Sequence, residues 1–163
     1  MILFYILMIL SAATLIINGF QWIFRFDIYN ANYISFSFVS TILYMFTQTL
    51  IMFYLIGAGK KIKEIIIEYK MDKNIYDKVI DIKRKLFPPL TLNILLVGTA
   101  FVLGGGVQTK VLSPYWHYFI FFSSLLHYMK VIKMQHDSLV LNGDILSDLG
   151  RQIEAIESNK KGS

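Results

Sequence analysis

Apolar residues run almost without interruption over four stretches, about Ile2 to Phe24, Tyr33 to Ile56, Pro89 to Leu103 and Tyr115 to Ile132, and the polar positions gather between and after them. Crossing about 30 Å of hydrocarbon takes roughly 20 mostly apolar residues in a helix, so each stretch is predicted to be a transmembrane helix, the third being the shortest. A span must satisfy its own backbone hydrogen bonds, and the alternating pattern of a membrane barrel is absent, so the expected class is all-α. The first stretch has no Lys or Arg ahead of its apolar run, which is longer than the roughly 7–15 residues of a signal peptide core. It is expected to be retained as a span.

The polar segments have their own periodicity. Residues 59–87 are charged, yet Ile62, Ile66 and Tyr69, then Ile75, Val79, Ile82 and Leu86, fall at helical spacing. The pattern predicts a helical hairpin that continues the second span, with Asp72 capping the returning helix and Pro88 and Pro89 ending it. Over 134–157 the spacing of Leu139, Asn142, Leu146, Leu149, Ile153 and Ile156 alternates threes and fours. That is a coiled-coil seam through which chains could pair, its Asn fixing register, or a stripe that packs on the chain's own hairpin.

Charge placement orients the whole. The hairpin holds Lys60, Lys61, Lys63, Lys70, Lys73, Lys78, Lys83, Arg84 and Lys85, and Lys130, Lys133, Arg151, Lys160 and Lys161 lie at or beyond the end of the fourth span. The other two connections hold only Arg25 and Lys110. Basic residues mark cytoplasmic loops, which places both termini in the cytoplasm of a bacterial or archaeal inner membrane, with Trp22 and Trp116 at the outer interface. Lys60, Lys61, Lys130 and Lys133 are expected to contact headgroups. A composition of 55% hydrophobic and 15% aromatic residues makes the net charge of +5 a matter of membrane orientation, and no nucleic-acid partner is expected. Without cysteine there is no disulfide, thiolate metal site or cysteine nucleophile.

Candidate chemistry narrows to the polar residues inside the spans. Ser11, Thr14, Asn18 and Gln21 share one face of the first helix, and Ser37, Thr41, Tyr44 and Gln48 one face of the second. The fourth adds His117, Ser124 and His127. By helix rise, His127 and Gln48 lie at about 18 and 22 Å below the starts of their spans and could meet. The candidate pocket is therefore His127, Ser124, Gln48, Tyr44, Thr41, Ser37, Asn18 and Thr14.

"GAGKK" at 57–61 is no phosphate loop, since Tyr54 stands where the first glycine belongs and Lys61 where Ser or Thr does. Asp72, Asp77 and Asp81 sit among lysines as a solvated face, "GGGV" at 104–107 reads as an outer turn, and no metal-ligand spacing occurs. All three histidines follow one another on or just after one helix, which disfavours bis-His haem within a chain.

The expectation is a non-catalytic membrane protein with no cofactor, acting as a homo-oligomer or an accessory subunit of a larger membrane complex. The alternative is a small redox or lipid-handling protein holding quinone, haem or lipid near His127. Single cysteines at Asn30, Asn74, Gln108 and Ser158 test the orientation. Positions 30 and 108 should react with an impermeant maleimide on sealed cells, and labelling of 74 or 158 there would reverse the topology.

Overall fold

On α1 (Ile2–Phe24) the buried side chains include Ser11, Asn18 and Gln21, whereas Ile2, Leu3, Ile9 and Phe24 are exposed. Buried polar side chains recur on α2, α3 and α4 of the protein, whose computed structural model describes residues 1–24, 26 and 33–161. Arg25 and Asn30 lie outside the described residues. α2 (Tyr33–Glu68), α3 (Asn74–Gln108) and α4 (Pro114–Lys161) complete the bundle, and no strand occurs among the described residues. The chain is all-α, and α1, α2 and α3 are long and apolar enough to cross a membrane. α4 falls short in composition, because its upper half carries His117, Ser123, Ser124, His127 and Lys130.

Successive helices pack antiparallel. α3 makes its most extensive contact with α4, α1 packs chiefly on α2, and the α1–α4 seam is touched at few points. At about 1.5 Å per residue, α1 with 23 residues is about 35 Å long, while α2, α3 and α4, with 36, 35 and 48, reach about 54, 52 and 72 Å. The last three therefore continue past the apolar belt as a three-helix extension. Its core is Ile62 and Ile66 of α2, Val79, Ile82 and Leu86 of α3, and Leu139, Ile145 and Leu149 of α4. Gly59 sets the α2–α3 distance there, since an added Cβ would lie 3.0 Å from Val79 Cγ1 and 2.8 Å from Lys83 Nζ.

The turn between α2 and α3 is built from backbone bonds. Met71 N–H donates to Ile66 C=O at 3.0 Å and Lys70 N–H to Ile67 C=O at 3.4 Å, with Lys70 at φ 52°. This is a Schellman motif with Lys at the left-handed position usually given to glycine. The end of α3 repeats it, with Lys110 at φ 60° and Val111 N–H bonded to Gly106 C=O. The cap position of α3 is Lys73, one residue after the expected Asp72, whose carboxylate nonetheless accepts Asn74 N–H at 2.9 Å. Tyr69 donates to the Glu157 carboxylate at 3.0 Å, which ties the tail to the turn and raises the tyrosine hydroxyl above its ordinary pKa. Of the expected salt-bridged aspartates, Asp81 pairs with Arg84 at 3.5 Å on the exposed surface, where such pairs contribute little.

Three expectations are corrected. Pro88 and Pro89 do not end a helix, because α3 runs through them. The buried positions of α3, Ile82, Leu86, Leu90, Asn93, Val97 and Ala100, step by four, four, three, four and three. The doubled step spans the prolines, and such a stutter locally unwinds the supercoil of helices packed against one another. The carbonyls of Arg84 and Lys85 that lose a donor fall on an exposed stretch where water or headgroups can take the bond. Gly104 to Val107 form no turn but the last helical residues of α3, and Gly104 lets His117 approach, an added Cβ meeting its Cε1 at 3.2 Å. Trp22 is buried against Tyr33 and His117 while Trp116 is exposed, so only the second stands where an interfacial anchor would.

The 139–156 seam is filled from within the chain. Leu139, Asn142 and Leu149 are buried, Asn142 donating to Tyr54 of α2, and Leu146, Ile153 and Ile156 are half-buried. Spacing of threes and fours serves an antiparallel bundle as well as a dimer, so the stripe could not choose between them. Leu149→Asp should therefore destabilise the folded chain by about 3 kcal/mol or more, as a charge placed in an apolar core does. Its thermal midpoint should fall by the same amount at every protein concentration. A shift that vanishes on concentrating the protein would instead put the seam between copies.

Candidate intramembrane polar site

A hydroxyl or amide surrounded by lipid finds partners only inside the protein, so polar side chains spaced along one helix face converge on the bundle axis. Two clusters result, one at mid-bundle and one towards the α3–α4 connection.

The middle cluster centres on Tyr128 of α4, which is 1% exposed. Its hydroxyl meets Ser11 Oγ of α1 at 2.8 Å and accepts from Gln48 Nε2 of α2 at 3.2 Å. Gln48 Oε1 in turn accepts from Gln135 Nε2, two turns further down α4. The Tyr44 ring stands edge-on to Tyr128 with centroids 5.0 Å apart. Tyr44 donates to Asn93 Oδ1 of α3, and Asn93 Nδ2 donates to the Ser124 carbonyl of α4 at 2.8 Å. Ser124 Oγ bonds its own helix at Phe121 C=O. Every helix thus enters one of two hydrogen-bonded groups of neutral side chains, joined by the Tyr44–Tyr128 ring contact, in which the described residues place no carboxylate and no lysine and only Gln135 Oε1 is without a partner.

The other cluster surrounds His117, whose Nδ1 lies 2.9 Å from the Ala100 carbonyl. A carbonyl only accepts, so Nδ1 carries a proton and donates it. The Trp22 ring packs edge-on at 4.7 Å, and Asn18 Nδ2 donates to Ser37 Oγ at 3.1 Å. These residues line a cavity of about 20 Å³, room for one water, and the buried Trp22 Nε1 beside it has no protein partner.

Of the candidate pocket residues, Gln48, Tyr44 and Ser124 enter the middle network, and Asn18 and Ser37 bond each other in the second cluster. Thr14 bonds its own helix at Ser11 C=O, and Thr41 is buried on α2. His127 is half-buried, and its enclosed Nδ1 has no partner; Gln48 bonds Tyr128 beside it instead. Asn93, Tyr128 and Gln135 escaped the sequence reading. The signal was phase: His117, Phe121, Ser124, Tyr128, Val131, Gln135, Ser138, Asn142, Ile145 and Leu149 are buried at strictly alternating steps of four and three. Continued upward from the tail, that stripe passes through Tyr128 and misses His127 by one residue.

Bis-His haem ligation does not fit within this chain. His117, His127 and His136 share α4 with successive separations of about 14–15 Å along its axis, too far for any two to ligate one iron together. Among the described residues no three His, Asp or Glu side chains gather as a metal site would require. The cavity beside His117 is also far too small for a quinone ring. Lys60, Lys61, Lys130 and Lys133 are exposed, as headgroup contacts must be. Comparison with family models, curated proteins and solved structures returns no match.

The network predicts a ranking. Asn93→Leu strands the buried Tyr44 hydroxyl and Tyr128→Phe strands the Gln48 amide, each costing about 1–3 kcal/mol. His127→Leu removes no hydrogen bond within the protein and should change stability by well under about 1 kcal/mol. Thermal unfolding in detergent reads all three, and equal losses would refute the assignment of the network to Tyr128.

Proposed function

We propose that this chain is a non-catalytic integral membrane protein, an accessory or structural subunit that crosses a bacterial or archaeal inner membrane four times with both termini cytoplasmic. The observation that carries this reading is that Ser11, Tyr44, Gln48, Asn93 and Tyr128 spend their polar groups on neighbouring helices across the whole bundle, leaving only Gln135 Oε1 of that cluster unpartnered. A site built to bind or turn over a ligand keeps polar groups aimed into open space. Here they face each other. Bonds of this kind contribute about 0.6 kcal/mol each in membrane bundles, enough collectively to set helix positions.

Membrane residence is supported by the three apolar helices and by Ile9, Phe46, Phe53, Leu95 and Phe119, all more than half exposed. α4 crosses beside them because its polar stripe is covered by α1, α2 and α3. The concentration of Lys and Arg in the extension supports the orientation. With the 139–156 seam occupied within the chain, assembly with other subunits proceeds through other surfaces.

One observation favours the redox or lipid-handling alternative, the unpartnered His127 Nδ1. Purification from native membranes in mild detergent separates the two. The subunit reading expects migration with larger partners on native gels and no stoichiometric chromophore or quinone. A lone chain carrying one quinone or haem, lost in His127→Ala, would replace it with the alternative.

A further inference from the structure

Between α1 and α4 the bundle is not closed. The two helices meet where Gly19 admits Phe121, where Ser11 bonds Tyr128 and where Tyr5 bonds His136. Between these points Ala12 and Ala13 are too small to fill the gap, and a groove of about 450 Å³ remains, floored by Met8 and Ile132. That volume lies within the roughly 300–1,000 Å³ of small-molecule sites.

Its dimensions are those of one membrane leaflet. From Tyr5 to Ile16, the groove's limits on α1, the rise is about 16 Å, half of the about 30 Å hydrocarbon thickness. Tyr5 and His136 lie about 26–29 Å below Trp22 and His117, at the level of the opposite headgroups. The polar end of the groove is therefore at one interface and its apolar end near mid-bilayer.

That polar end has donors for a phosphate. The Tyr5 hydroxyl lies 3.1 Å from His136 Nδ1. When Tyr5 donates, the imidazole proton sits on Nε2, directed away from the pair. Lys133, one turn nearer the membrane centre, is exposed, and α1 has no acidic residue to repel an anion. Asp137, the nearest carboxylate in sequence, lines a different groove with Lys78 and Lys85 against α3. The comparable lipid-facing groove between α2 and α3, lined by Ile42, Met45, Leu95 and Gly98, has no basic residue along it.

We propose that the α1–α4 groove is a site for one anionic phospholipid of the cytoplasmic leaflet, an acyl chain lying along Ala12 and Ala13 and the phosphate held by His136 Nε2–H and Lys133, with Tyr5 orienting the imidazole. This rests on the membrane reading above and adds a specific ligand to it.

The test is native mass spectrometry of the full chain after equilibration in nanodiscs of equal phosphatidylglycerol and phosphatidylcholine with identical acyl chains. The wild type should retain one phosphatidylglycerol in preference to phosphatidylcholine by about fivefold or more, the factor one basic group at an anionic headgroup implies. Lys133→Gln with His136→Gln, both outside the core, should keep a lipid but lose the preference. Ala12→Leu with Ala13→Leu should lose the retained lipid while circular dichroism remains helical; if that variant misfolds, the headgroup variant decides alone. Equal retention of both lipids by the wild type, or an unchanged preference in the headgroup variant, overturns the site. Release of the wild type from membranes by alkaline carbonate would instead overturn the membrane reading.

Discussion

A buried amide has two ends to satisfy, and in lipid neither can be left to solvent. Gln48 and Asn93 meet this requirement by spanning neighbouring helices, Gln48 between Tyr128 and Gln135 and Asn93 between Tyr44 and the Ser124 carbonyl. Rotating any one helix breaks bonds on two sides, so the azimuth of each helix is set by polar contacts even though most of its surface is apolar. The hydrophobic effect cannot supply such specificity inside a bilayer, where an apolar side chain is as well placed against lipid as against protein. The extension obeys the opposite rule. There Ile62, Ile66, Val79, Ile82 and Leu149 are buried and the charges stay outside, as in a water-soluble bundle. One set of continuous helices thus changes its solvent partway along, and its sequence changes from polar-inside to apolar-inside at about the same level.

Much of this was legible in the chain, because hydropathy and period act locally. The limits of α1, the start of α2 and the start of α4 follow from where apolar runs meet polar residues. So does the hairpin, whose stripe from Ile62 to Leu86 becomes the core of the extension. What was not legible depended on neighbours. Pro88 and Pro89 read as a stop under rules for an isolated helix, but α3 is gripped by Leu86 and Leu90, both fully buried, on either side of them. The triple glycine read as a turn because nothing local announced His117, seventeen residues from Ala100, as the partner that needs the space. His127 attracted attention by its residue type, whereas burial follows the phase of the helix.

The heptad-like tail teaches a related lesson. Leu139, Asn142 and Leu149 are at positions that would suit a second chain, and only the arrangement of α2 and α3 shows that the places are taken. Asn142 reaches Tyr54 at 3.4 Å, so even its polar member is used within the fold. A periodic stripe states that a helix has an inside. It does not state whose.

The unbroken alternation of fours and threes along α4 has a consequence for how this chain can change length. A single residue inserted between Tyr128 and Leu139 would turn everything beyond it by about 100°, carrying Asn142, Ile145 and Leu149 out of the core and their charged neighbours into it. Seven inserted residues would restore the facing to within about 20° and merely lengthen the rod. Variation in the size of this protein is accordingly restricted to the connections at its two ends and to whole heptads within the extension, so that the molecule can be taller or shorter but not differently threaded.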